Sequence, residues 1–125
     1  GAVASTVAHD SHNLLVVGKN DVDITHAATR VIQLDGGMVA VNNGDVLAEV
    51  PLPIAGVMSD QPLSTVTEQV QQLESAWAEL GCSLESPFMT MSLLALAVIP
   101  ELRLTNRGLI DTDEFDIIDP IRQHW

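Results

Sequence analysis

Five consecutive polar residues, His9, Asp10, Ser11, His12 and Asn13, form the densest group of reactive side chains in the 125-residue sequence. Imidazole moves protons near neutral pH, and imidazole and carboxylate both ligate metal ions. His9 and His12 stand three residues apart with Asp10 between them, so a small metal or proton-transfer site is one reading of the run. The other is a hydrogen-bonded turn, because Asp, Ser and Asn bond readily to nearby backbone. A structural zinc site takes four ligands, and no other His or Cys pair has the spacing to complete one. His26 and His124 stand alone, and no metal ligand is assigned.

Other routes to catalysis leave little trace. The sequence contains no G-x-x-x-x-G-K-[ST] phosphate loop, no G-x-G-x-x-G fingerprint and no G-x-S-x-G nucleophile elbow. Ser59 lies beside Asp60 without the context of a triad. Cys82, the only cysteine, follows an expected helix end, where the dipole works against a thiolate, and is expected to be inert. Met58, Ser59 and Met89 are candidates to line an adaptable pocket, although filling a core is the commoner use of methionine.

These side chains need a frame to position them. Val3 to Ala8 and Leu14 to Val17 read as strands on either side of the polar run. Asn20 or Asp21 caps a helix to about Leu34, and Gly36-Gly37 stops it. Asn43-Gly44 predicts a type I′ hairpin between Met38–Asn42 and Asp45–Val50. That register sets Val41 opposite Val46 and Val39 opposite Ala48, with one uniformly apolar face on the core. Pro53 to Asp60 reads as an ordered loop. Thr65 and Glu68 match a capping box for a helix over about Val66 to Leu80, ended by Gly81. Val66, Val70, Leu73, Trp77 and Leu80 form its apolar stripe.

Beyond Gly81, Pro87 to Ile99 suits either a short helix or a buried extended segment. A turn at residues 105–108 separates two short strands, and the acidic stretch from Asp111 shows no clear element. The order β-β-α-β-β-α with an irregular C-terminal tail predicts an α/β (α+β) two-layer sandwich, formed as a single domain over residues 1–125.

Five basic residues against 17 acidic ones give a net charge of -12, which opposes nucleic acid and anionic membrane as partners. The 46% hydrophobic content argues against disorder. With one cysteine there is no internal disulfide, and no stretch has the ~20 apolar residues of a membrane span. No signal peptide is apparent either, so a cytoplasmic location is expected.

Four segments add a resemblance. Val7 to Asn13 running into Leu14–Gly18, Leu52-Pro53-Ile54-Ala55-Gly56-Val57-Met58-Ser59, Pro87-Phe88-Met89-Thr90, and Ile99-Pro100-Glu101-Leu102 continuing to Arg107-Gly108-Leu109 resemble, in order, the C-terminal region of bacterial adenine deaminases. That family, in the amidohydrolase superfamily, converts adenine and water to hypoxanthine and ammonia with divalent metal (manganese or iron) in a (β/α)₈ barrel. A barrel needs about 250 residues, and its H-x-H pair has no counterpart in His9 and His12. The resemblance therefore implies an accessory portion, inactive alone, whose partners are the catalytic barrel of the same parent chain and adenine as parent substrate. It further implies that His9, Asp10, Ser11, His12 and Asn13 lie in the substrate pocket or directly behind it. A subunit-assembly module, present in a homo-oligomer, is the alternative from a different class. A third reading is a small independent metalloenzyme using His9, Asp10 and His12.

Overall fold

The computed structural model describes residues 1–121. Strand β1 (Ala2–Ser5) pairs antiparallel with β2 (Leu15–Gly18) on one side and with β3 (Gly37–Asn42) on the other. Strand β4 (Asp45–Pro51) continues the sheet beyond β3, giving the order β2-β1-β3-β4. Helix α1 (Asp21–Gln33) joins β2 to β3, and helix α2 (Leu63–Glu79) follows β4. The α+β class and the order of these segments are as expected; the layering has α1 and α2 on opposite faces of the sheet rather than together on one.

Side-chain alternation decides where the helices go. Ala2 and Ala4 of β1 and Val39 and Val41 of β3 pack with Ala27 and Val31 of α1. Val3, Ala40, Ala48 and Val50 pack instead with Leu73, Ala76 and Trp77 of α2. Successive strand residues point to opposite faces, so the sheet carries one helix on each face.

The hairpin turn forms as expected, with Asn43 and Gly44 both at positive φ. Its register departs from expectation one step later. Val41 faces Val46, but Ala40 faces Ala48 and Val39 faces Glu49, because Leu47 is an extra residue on β4. The bulge puts Ala48 and Val50 on the α2 side, where Leu73 and Trp77 are buried. It turns Glu49 toward α1, where Arg30 holds it by two hydrogen bonds of 2.7 Å.

Both helix starts follow local chemistry, though not always the chemistry expected. The Asn20 side chain accepts the Asp23 N–H at 2.9 Å and caps α1. The capping box at Thr65 and Glu68 does not form. Helix α2 starts earlier, after Pro62, whose fixed φ of -58° lets the chain enter the helix without a side-chain cap. Strand β1 is also shorter than expected, since the Ser5 hydroxyl accepts the Val7 N–H at 3.0 Å and turns the chain out of the sheet.

After α2 come a short helix, α3 (Pro87–Ser92), and a 3₁₀ turn over Leu93–Ala95. Phe88 of α3 meets Trp77 edge-to-face, with ring centroids 4.4 Å apart at 71°. Met91 is buried in the same cluster. Strands β5 (Leu102–Thr105), β6 (Gly108–Asp111) and β7 (Asp116–Ile118) then form a second antiparallel sheet, with β5 against the 3₁₀ turn. The tail expected to be irregular thus supplies a strand. Asp111 Oδ1 accepts the N–H groups of Asp113 and Glu114 and reverses the chain into β7. His124 lies outside the described residues.

Candidate functional site

The polar run occupies the connection between β1 and β2. Thr6 anchors the start of this connection: its hydroxyl donates to the Gly56 carbonyl at 2.6 Å and accepts the Gly37 N–H at 2.9 Å. Ala8 is buried, and from His9 to Asn13 every residue is exposed. Asp10 and His12 both adopt the left-handed backbone region, with φ of 61° and 45°. A 2.7 Å bond from the Ser11 N–H to the His9 carbonyl tightens the turn. Without glycine, two left-handed residues in three carry a local conformational cost.

Four of the five polar residues border one cleft of ≈ 500 Å³: His9, Asp10, Ser11 and Asn13. Leu14 and Leu15 continue that wall. The other side comes from residues 95–98, after the 3₁₀ turn, and from Leu104, Thr105 and Asn106 at the end of β5. One rim can donate and accept hydrogen bonds, while the remaining wall is mainly apolar. Such a mixture suits a flat polar ring whose faces lie on aliphatic carbon.

His12 does not line this cleft. Its Nδ1 lies 3.4 Å from the Ala8 nitrogen and accepts that N–H, closing the loop on itself. The histidine of the run that reaches another element is His9, whose Nε2 is 3.2 Å from Sδ of Met89 on α3. Met89 is therefore brought to the polar run across 80 residues of sequence.

None of the three pocket-lining candidates, Met58, Ser59 and Met89, is among the residues lining the cleft; Met89 meets it only through His9 at its edge. The Ser59 hydroxyl accepts the Gln61 N–H at 3.1 Å, and Met58 is 55% exposed at the base of a turn closed by reciprocal backbone bonds with Ile54. Sequence reasoning missed the wall formed by residues 95–98 and Leu104. The apolar run after Met91 was visible, but Leu94 and Val98 are exposed, which hydrophobicity alone does not announce. Among the described residues, no three His, Cys, Asp or Glu side chains converge in a metal-holding group. His9 and His12 point to different partners, so the run does not fit a metal and no chemical step is derived through one.

Among the described residues, Asp23 is the one strongly perturbed acid. It is buried near the start of α1, and hydrogen bonds from Asn20 and the Gly44 N–H hold its pKa down to about 2 against the cost of burial. The Gly1 amine, 3.2 Å away, and the Asn43 N–H act in the same direction. This group ties the helix start to the hairpin turn and lies outside the cleft lining.

The fold and its cleft place the chain among small α+β domains with a polar-rimmed, apolar-walled cleft beside a helix-covered sheet. It matches the family model described as adenine deaminase C-terminal domain over residues 1–116, and it belongs to that family. It is 61% identical over 121 residues to a protein named adenine deaminase from Moorella thermoacetica, covering 97% of this chain and 20% of that protein. It is 59% identical over 118 residues to the adenine deaminase of Clostridium botulinum, covering 94% of the chain and 20% of that protein. The adenine deaminase of Brucella melitensis is 52% identical over 118 residues, with the same coverage. The chain thus spans 20% of the length of these relatives.

Proposed function

We propose that this chain is the accessory domain of an adenine deaminase and that its cleft faces the mouth of the catalytic barrel in the same parent chain. In this reading the parent hydrolyses adenine to hypoxanthine and ammonia in the cytoplasm, and the domain has no activity alone. The metal belongs to the barrel, and no residue described here is assigned to it. The observation that carries the proposal is the convergence of His9, Asp10, Ser11 and Asn13 on one open cleft with an aliphatic wall. An open cleft of this kind is half a pocket. Closing it against a barrel mouth excludes water and strengthens every polar contact inside. Adenine offers ring nitrogens as acceptors and an exocyclic amine as donor, which carboxylate, imidazole, hydroxyl and amide groups can match.

The test is adenine turnover by the full-length enzyme carrying His9→Ala or Asp10→Ala, with metal content and thermal stability measured in parallel. A fall in kcat/KM of about tenfold, with metal and stability unchanged, corresponds to about 1.4 kcal/mol of transition-state stabilisation. Turnover within about twofold of the parent for both variants would refute a role at the pocket.

A second reading, that the domain joins subunits, is favoured by the apolar exposure of its last sheet and tail. Phe115 is 86% exposed, Ile121 79% and Leu104 55%. Solution mass of the full-length enzyme with Phe115→Asp and Ile117→Asp tests it: an unchanged oligomer sets assembly through this face aside.

A further inference from the structure

His9 and Met89 come from different parts of the fold, and neither contact is local. His9 leaves β1, whereas Met89 is fixed because its neighbours Phe88 and Met91 are committed to the core beside Trp77. Met89 itself stays outside that core, 55% exposed, with Sδ 3.2 Å from the Nε2 of His9. The Ser92 hydroxyl donates to the Met89 carbonyl at 2.7 Å and steadies the turn that carries it.

A thioether sulfur has no hydrogen to give, so in a neutral imidazole the proton of this contact belongs to Nε2. A hydrogen bond at this contact therefore requires the Nε2-protonated tautomer. Nδ1 is then the ring's lone-pair nitrogen, and among the described residues it takes no hydrogen bond. The contrast with His12 is informative, because there Nδ1 is already used by the Ala8 N–H. One histidine of the pair is spent on the loop and the other keeps an acceptor free beside the cleft.

We infer that Met89 is a positioning residue: its thioether holds the His9 ring in the Nε2-protonated tautomer, which leaves Nδ1 as an acceptor for an N–H donor bound in the cleft. The part of this inference that concerns turnover rests on the accessory-domain reading; the part that concerns the ring does not. A sulfur contact of this kind is weak in water, and covering the cleft removes the competing solvent. The donor it suits is an amine or ring N–H of a flat heterocycle, or the water that such a ring displaces.

The experiment has two arms. The first uses this chain labelled with ¹⁵N at histidine, compared with Met89→Leu, a swap that keeps volume and removes the sulfur. At a pH where the ring is neutral, the two nitrogens of His9 are expected to be widely separated in the parent. They are expected to draw together in the variant as the second tautomer gains population, and the contact between the Met89 methyl and the His9 ring is lost. Unchanged nitrogen shifts would overturn the inference.

The second arm measures kcat/KM of the full-length enzyme in a double-mutant cycle. Met89→Leu is expected to cost about threefold alone and nothing further when His9 is already alanine. An equal loss in both backgrounds would show that Met89 acts otherwise than through His9, and would overturn its positioning role. If His9→Ala itself leaves turnover unchanged, the accessory-pocket reading fails. In that case the nitrogen shifts still decide whether Met89 sets the ring.

Discussion

The Nδ1 of His12 accepts the backbone N–H of Ala8 at 3.4 Å, and that contact takes His12 out of the cleft its neighbours line. The expected result of His12→Ala is a loss of stability of about 0.5–1 kcal/mol, the size of one modest hydrogen bond. Turnover of the full-length enzyme is expected to stay within about twofold. Denaturant unfolding and steady-state kinetics of the same variant check both halves. A tenfold loss of kcat/KM with unchanged stability would return His12 to the site.

Thr6 carries more of the frame than the polar run does. Its hydroxyl serves the Gly56 carbonyl and the Gly37 N–H together, and so ties β1, β3 and the loop after β4. Thr6→Val keeps the shape but leaves both backbone groups unpaired. A destabilisation of about 2–3 kcal/mol is expected from urea unfolding, above the usual value for one bond.

Gly36 lies where two segments nearly touch. Its φ is +118°, and an added Cβ would stand 2.5 Å from the Gly56 Cα and 2.9 Å from the Leu52 carbonyl oxygen. Gly36→Ala therefore meets both a disfavoured backbone region and a steric clash with main chain. A loss of about 2–4 kcal/mol is expected in thermal or denaturant melts. A neutral result would mean that the loop over residues 53–58 moves aside at little cost.

Asp23 predicts a pH dependence. Its carboxyl is held at about 2, below the ordinary 3.8, so the folded state favours the charged form. The stabilisation is fully present above about pH 4 and disappears as pH falls through about 2. The gap in Tm between the parent and Asp23→Asn is expected to be constant from neutral pH to about pH 5 and to close toward pH 2. A gap that widens on acidification would contradict the assignment.

Much of the frame was legible because it rests on local rules. Asn20 caps α1, Asn43-Gly44 makes the hairpin turn, and Leu73 and Trp77 fall on the buried stripe of α2. The capping box at Thr65 failed because Pro62 presets an earlier start, and local signals do not state which of two starts wins. The register error at Leu47 has a different origin. A bulge is decided by which face needs apolar cover, and the two helices settle that from opposite sides of the sheet.

The polar run divides in the same way. Sequence by itself determined that His9 to Asn13 are reactive, adjacent and placed between two strands, since residue type and order are local. Only the folded structure decided that His12 bonds back to Ala8, that Met89 meets His9, and that residues 95–98 face the other four across a cleft. The His12 contact spans four residues, whereas the other two relationships join segments 80 or more residues apart. Those two depend on Phe88 and Met91 docking at Trp77, a matter of packing that no spacing along the chain encodes.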